Sequence, residues 1–399
     1  MIGIKLPNHK NISLKEIKSY LNPKKVFFSC DSSKLLVKNN NSVKEGDIIG
    51  KDNFDLPIIA SISGKIKIKS NKNNSQITVI NSNQEKKYND DVNYKHMYTK
   101  QEFIKILKEN AIVGMSGNGK PTYLKYKNSK KIKTLIINGV ECDPYSSSDY
   151  IIAINHTKEI IKTIDWIMQI LNIKECFIAI KNNNPLEKEK LLTSADKYKK
   201  IKVIEVPNLY PMGWEKVLVR YIKHTDYKNS PLENGIVINN ISTIFAIHNA
   251  LKNKKPLTER YVTFTGNGLK KPCNVLVKIG TKVEEIIEFL NEKCDDVIYI
   301  ENGPLMGEEK DLKDFVITPK TNCILVQKKY KTEESLCIKC GKCVDHCPVK
   351  IAPALILKYK DNKKVINRLN LNKCIECGIC NYVCPSKIDI RKIIKERKK

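Results

Sequence analysis

Eight of the fourteen cysteines of this 399-residue chain lie in its last 63 residues, in two copies of one spacing. The first copy is Cys337, Cys340, Cys343 and Cys347 before Pro348; the second is Cys374, Cys377, Cys380 and Cys384 before Pro385. The run C-x2-C-x2-C-x3-C-P is the pattern that holds [4Fe–4S] clusters. Three thiolates two residues apart wrap one face of a cubane, and the fourth reaches across to the other cluster. The spacing therefore assigns Cys337, Cys340, Cys343 and Cys384 to one cluster and Cys374, Cys377, Cys380 and Cys347 to a second. Zinc sites use paired CxxC or Cys/His sets rather than this run. A disulfide framework belongs to small secreted chains. Gly341 and Gly378 relieve crowding around the cubanes, and the prolines turn the chain after each crossover ligand. Two clusters side by side form a wire, which needs a source and a sink.

The second group of residues with chemistry to offer lies upstream. The loop Gly114 to Thr122 (GMSGNGKPT) has glycines whose backbone N–H groups can approach a phosphate closely. Asn138 and Glu141, the segment Tyr210 to Glu215, and the pair Asn239 and Asn240 all fall at the ends of expected strands. Amide side chains carry both donor and acceptor, as a flavin ring edge does. No catalytic side chain is assigned.

These residues need elements to position them. Residues 1–94 are short-period and strand-like; Val43 to Gly50 followed by Ala60 to Lys67 resembles half of a biotinyl/lipoyl-like β-sandwich. Without a Met-Lys pair on a hairpin it is expected to carry no attached group, and a polar linker, residues 82–93, follows. Residues 95–256 alternate. Helix Thr99 to Asn110, strand Thr134 to Asn138, helix Ile151 to Leu171, strand Cys176 to Ile180, helix Leu186 to Tyr198 and strand Lys202 to Val206 predict a Rossmann-like parallel sheet covered on both faces. Ligands of such sheets sit beyond the carboxyl ends of the strands. Residues 257–330 return to strands around one helix, Val283 to Asn291, as in a β-grasp unit of the SLBB-like kind; residues 331–399 form the helical two-cluster ferredoxin-like module. The fold class is thus multidomain α/β.

Composition narrows the function. The chain is 41% apolar, enough for real cores, and carries a net charge of +28. Only five of its 71 basic residues are Arg and the Lys are spread along the whole chain, which argues against nucleic-acid recognition. The most apolar window, Ile160 to Ile173, is interrupted by Lys162, Asp165, Gln169 and Asn172, short of the roughly 20 apolar residues of a membrane span. The N-terminus lacks an export pattern. The expectation is a cytoplasmic chain, attached to a membrane only through partners. Cys30, Cys142, Cys176, Cys273, Cys294 and Cys323 read as packing residues, His96, His156, His224 and His248 as non-ligands, His346 as a tuner of its cluster, and Trp214 equally as a core aromatic or a flavin neighbour. The basic run Arg391 to Lys399 reads as a solvated tail.

The order of the segments is distinctive. A sandwich-like domain, the Gly-rich loop, NGVECDPY (138–145), YPMGWEK (210–216), VINNIST (237–243), TFTGNGLKKPCNVLVKIGT (263–281), NGPLMG (302–307) and two ferredoxin motifs resemble the C subunit of the Rnf electron-transport complex. YPMGWE looks at least as much like a soluble relative associated with proline reductase, and the central part is similar to the NADH-oxidising subunit of respiratory complex I. The resemblance implies a non-covalent FMN that receives electrons from NADH and passes them singly to the clusters, with redox proteins as partners: other Rnf subunits, ferredoxin or a reductase. By the same resemblance, FMN contacts fall on Gly114, Gly117, Gly119, Lys125, Asn138, Glu141, Tyr210, Glu215, Asn239 and Asn240. Four departures stand out. Lys120 replaces an aromatic and Asn118 a small Ala in a loop that usually reads GGAGFPT; Asp143 replaces Glu; a QH-x-G-x-P segment is missing around Phe27 to Ser33. Lys120 keeps a second function open: a flavin-free relay between redox proteins that does not oxidise NADH.

Overall fold

The computed structural model describes residues 3–10, 17–71, 73–84, 86, 88, 98–117, 119–127, 132–292, 295–329 and 333–398. Asn118, His96, Cys294 and much of the 82–93 linker lie outside them.

The centre is a four-stranded all-parallel sheet in the order Ile201–Val206, Glu175–Lys181, Thr134–Asn138, Ile236–Asn240. Period-2 alternation sends side chains to opposite faces. Leu135, Ile137, Cys176, Ile178, Ile180 and Val237 pack into one core with helices Lys100–Glu109, Thr157–Leu171 and Ile241–Asn253. Ile136, Ala179, Ile236 and Ile238 pack into the other, with Val217, Leu218 and Val219 of helix Glu215–Lys223. Both faces are covered, as near-continuous apolar strands require. The expected helix Ile151 to Leu171 is instead two, Ser148–Asn155 and Thr157–Leu171. His156 leaves the helical path at φ −124°, stacks on Phe245 at 4.0 Å and meets the Tyr261 hydroxyl at 3.1 Å, while Thr157 Oγ1 donates to the Ala153 carbonyl at 2.7 Å.

A four-stranded antiparallel sheet (Lys25–Asp31, Asn74–Asn81, Gly64–Ser70, Ser42–Val43) and a two-stranded one (Ile48–Lys51, Pro57–Ile59) share the core of Val26, Ile49, Ile62, Ile66, Ile77 and Val79. Residues 1–94 are nevertheless not one unit. Strand Ile17–Tyr20 runs parallel to Cys273–Lys278 as the edge of a six-stranded sheet, whose other strands are Glu259–Thr265, Cys323–Lys328, Val297–Glu301 and Glu308–Lys310. Helix Val283–Phe289 packs on that sheet.

The cysteine-rich module is built from short helices, among them Lys342–Asp345, Pro353–Lys358, Ile379–Tyr382 and Ile390–Arg397. They surround a small core of Ile351, Ile356, Ile366, Leu371, Ile388, Ile390 and Ile394, against which five of the cysteines pack. No helix of the described residues is long and apolar enough to cross a membrane.

Candidate functional site

The Gly-rich loop follows helix Lys100–Glu109 and closes on itself: Val113 bridges Pro121, and the Gly114 N–H donates to the Lys120 carbonyl at 3.0 Å. It is pinned from two sides. The Met115 N–H donates to Thr243 Oγ1 at 3.0 Å, and the buried Arg260 guanidinium donates to the Met115 carbonyl at 3.4 Å and to that of Pro319. At Gly117 an added Cβ would meet no atom within 4 Å, so the backbone faces open space there, whereas at Gly114 it would stand in ordinary contact with the Lys120 carbonyl oxygen at 3.8 Å. Gly119 is different, because a Cβ would strike the Lys320 side chain at 2.7 Å.

Next to this loop the carboxyl ends of Thr134–Asn138 and Ile236–Asn240 present polar side chains. Lys125 donates to the Ile238 carbonyl at 2.5 Å; burial pushes its ammonium down, and the charge of Glu215 acts in the opposite sense. Asn239 donates to the Tyr126 hydroxyl, yet its own Oδ1 is buried with no partner among the described residues, as is Thr122 Oγ1. Asn240 donates to Asp149 at 2.6 Å and caps helix Ile241–Asn253 by accepting the Ser242 N–H at 2.9 Å. Asn138 donates to the Gly213 carbonyl at 2.7 Å, tying two of the loops together. Open backbone, a half-buried ammonium and orphaned acceptors are what a flavin with an anionic phosphate could use. On those observations the residues present fit FMN.

Behind that edge Glu141, an expected flavin contact, sits in a group of charges whose other members, Lys10, Asp149, Lys181 and Glu187, sequence reasoning missed. Glu141 Oε1 accepts from Ser146 Oγ at 2.5 Å and from the Asp149 N–H at 3.2 Å; its Oε2 lies 3.4 Å from Lys10 Nζ. Burial alone would raise this carboxyl, but Lys10 and the donors hold it below the usual range. Burial pushes Asp149 up to about 6 and Glu187 up to about 8, and brings Lys181 down to about 8. Glu187 accepts from Asn184 at 2.9 Å through Oε2, while Oε1 has no partner among the described residues and points at Gly139. Lys10 arrives from the N-terminal segment, whose His9 stacks on Tyr145 at 4.7 Å. One lysine among 71 basic residues carries no sequence signal.

Of the remaining expected flavin contacts, Glu215 lies near enough for its charge to act on Lys125, and Tyr210 is tied to the cysteine module. Glu215 is exposed in the first turn of its helix. Tyr210 donates to the Cys377 carbonyl at 2.6 Å, packed with Leu305 and Ile379. The turn Asn302 to Gly307 fills the space between the two halves. Asp143 Oδ2 lies 1.9 Å from where a Cβ on Gly303 would be, and the Leu305 carbonyl lies 1.9 Å from where one on Gly378 would be. Arg391 donates to the carbonyls of Leu305 at 3.0 Å and Met306 at 2.7 Å, clamping the cysteine module to the same turn.

Within the module the thiols gather in two hollows. One is lined by Cys337, Cys340, Cys343 and Cys384. The other is lined by Cys347, Cys374, Cys377 and Cys380, with Cys343 at its border. Each hollow thus takes the distant cysteine of the other motif. Burial pushes the Cys377 and Cys380 thiols up to about 12. Soft sulfur ligands around an apolar-walled hollow fit an iron–sulfur cluster, whose insertion would displace those protons. Of the remaining cysteines, Cys30, Cys176, Cys273 and Cys323 are buried and Cys142 is half-buried, its thiol raised by burial.

Comparison with known proteins agrees with this division. Residues 107–249 match the family model of the Nuo51 FMN-binding domain, and residues 328–388 that of the 4Fe-4S dicluster domain. The chain is 32% identical over 347 residues to the C subunit of the proton-translocating ferredoxin:NAD(+) oxidoreductase complex of Clostridium ljungdahlii, covering 82% of this chain and 76% of that one. It is 33% identical over 347 residues to the C subunit of the ion-translocating oxidoreductase complex of Buchnera aphidicola, covering 83% and 73%. Among solved structures it is similar to an NAD+-reducing [NiFe]-hydrogenase in the air-oxidised state, with a TM-score of 0.51 at 12% identity. That likeness spans 75% of this chain and about half (54%) of the hydrogenase chain, and concerns the fold alone. The molecule is a mixed α/β iron–sulfur flavoprotein, with an FMN-binding domain and a C-terminal dicluster domain. With these matches over most of its length, the chain belongs to the family of C subunits of the ion-translocating oxidoreductase (Rnf) complex.

Proposed function

We propose that this chain passes electrons between NADH and two [4Fe–4S] clusters by way of FMN, as the C subunit of an Rnf-type complex. When bound, FMN supplies the conversion of a two-electron hydride into single electrons, which clusters require. The chain's own residues bind, orient and exclude water. Lys125, with the backbone of Gly114 and the open backbone of Gly117, would hold the phosphate; Asn138, Asn239 and Asn240 would meet the ring edge, with Glu141 behind them and Gly119 and Glu215 at the rim. Cys337, Cys340, Cys343 and Cys384 would hold one cluster and Cys374, Cys377, Cys380 and Cys347 the other. The observation that carries this reading is the Tyr210–Cys377 hydrogen bond at 2.6 Å, by which the flavin domain touches the dicluster domain directly.

In finer terms, we read a non-carrying barrel-sandwich hybrid within residues 1–94, a Rossmann-like FMN and NADH domain at 95–256, an SLBB-like β-grasp domain at 257–330 and the two-cluster module at 331–399. Partners are other Rnf subunits, ferredoxin or a reductase such as proline reductase, met at the cytoplasmic face of a membrane.

Lys120 favours a second reading. Its exposed side chain stands in the loop where an aromatic is expected, which suits a flavin-free relay that no longer oxidises NADH. Anaerobic purification with iron, sulfide and flavin analysis separates the two, followed by NADH titration of wild type and Lys120→Phe. About eight iron and one FMN per chain, with flavin bleaching by NADH, supports the first reading. Full iron without flavin, and no bleaching in either protein, supports the relay.

A further inference from the structure

We propose that the rim of the first cysteine set, formed by Leu336, Ile338, Lys339 and Lys342 around Cys337 and Cys340, is the docking surface for an acidic one-electron carrier protein. The inference rests on the function proposed above and adds an order to its two clusters.

The two sets are unequal. Cys377 is buried and its carbonyl is taken by Tyr210, so the second set faces the flavin domain. Cys337 and Cys340 are exposed, as is every residue from Glu333 to Cys340. Leu336 is 90% exposed and Ile338 65%, the most exposed large apolar side chains among the described residues. Two such residues beside a redox centre contribute nothing to the core, and a contiguous apolar patch with a polar rim is what a partner covers. The charge of the surroundings states the partner's chemistry. The rim's own stretch mixes signs, with exposed Glu333, Glu334 and Asp345 alongside Lys339 and Lys342, but the module from Glu333 to Lys398 as a whole carries fifteen basic and seven acidic side chains. Asp361 and Glu376 are already matched by Arg397 and Lys398. Lys339, Lys342 and Lys387 are exposed, and no ion pair of the described residues uses them. A carrier with an apolar spot over its own centre and carboxylates around it is complementary in both respects. Electrons then run between the flavin and the carrier through the second cysteine set and then the first, or in reverse.

The test uses the full chain with its iron and flavin verified, and a small acidic two-[4Fe–4S] ferredoxin as probe, with affinity read by calorimetry at low and high salt. Leu336→Glu, Lys339→Glu and Lys342→Glu should each weaken binding by roughly tenfold or more, leaving iron, flavin and NADH bleaching unchanged. Lys199→Glu and Lys200→Glu, exposed on the flavin domain, should leave affinity as it was. Wild-type affinity in the rim variants overturns the proposal, and so does an equal loss in the two controls, which would mean attraction to the basic chain as a whole. A dimer of this chain dissolved by Leu336→Glu also overturns it, by naming a second copy as the occupant. Should Leu336→Glu lose iron, Lys342→Glu carries the test alone. Wild-type protein lacking iron or flavin overturns the parent function before any carrier is added; failed docking with both present overturns only the docking surface.

Discussion

The Tyr210 hydroxyl donates to the carbonyl oxygen of Cys377 at 2.6 Å, across 167 residues of sequence. It is a hydrogen bond made in a buried apolar setting, with Leu305 and Ile379 around it. Removing only the donor leaves that carbonyl unsatisfied at a cost of about 1–3 kcal/mol. Tyr210→Phe should therefore lower the chemical-denaturation midpoint of the cysteine module while FMN content stays at the wild-type level. If Tyr210 were instead a flavin contact, flavin content would fall and the module would be untouched.

Gly341 and Gly378 hold equivalent places in the two motifs, at φ +77° and +76°. Their surroundings differ. A Cβ on Gly341 would find its nearest neighbour, Asp345 Oδ2, at 3.8 Å, whereas one on Gly378 would lie 1.9 Å from the Leu305 carbonyl oxygen. Gly341→Ala should cost only the left-handed strain, about 1–2 kcal/mol. Gly378→Ala carries the same strain and must also push the module off the turn that Arg391 clamps. Limited proteolysis should release the module from Gly378→Ala and not from Gly341→Ala. Equal behaviour of the two would mean that the turn does not set the docking.

What was legible in the sequence was local. The cysteine runs declare their chemistry within eleven residues each, and the alternation Leu135, Ile136, Ile137 reads directly as a strand covered on both faces. What was not legible depends on distant chain. Ile17–Tyr20 looks like any short strand, and its partner, Cys273–Lys278, lies more than 250 residues away. Tyr210 stood at an expected strand end, but the direction of its side chain is decided by a module that comes much later. Lys10 has no motif at all; its place beside Glu141 exists only in three dimensions.

Lys125 is a half-buried ammonium with a carbonyl partner at 2.5 Å and a pKa that desolvation lowers. An anionic phosphate beside it would restore its preference for the charged form and add a charge-assisted bond of about 1.5–3 kcal/mol. Lys125→Gln should weaken FMN binding to the flavin-stripped protein by roughly ten- to a hundredfold, measured by quenching of flavin fluorescence. Riboflavin, which lacks the phosphate, should bind wild type and variant alike. A parallel loss for riboflavin would assign Lys125 to the ring instead.

Glu187 couples the same edge of the sheet to pH. It is 1% exposed, one of its oxygens has no partner among the described residues, and burial raises its carboxyl from near 4.5 to about 8, with Glu141 and Asp149 adding to the rise. Between those values the folded chain keeps a proton that the unfolded chain has released, so stability falls as pH rises from about 4.5 toward 8 and levels off above. The slope from one such group is at most about 1.4 kcal/mol per pH unit. Asp149, raised to about 6, adds its share only below that value. Glu187→Gln removes the titration while keeping a group that can accept from Asn184. Denaturation midpoints of the variant should therefore be nearly flat between about pH 6 and pH 8, where wild type declines, and the variant should be the more stable of the two at the upper end by a few kcal/mol. Parallel profiles would mean that the folded chain holds Glu187 ionised, with Lys10 or Lys181 compensating it, and that the buried charges near Gly139 are balanced differently from the arrangement described.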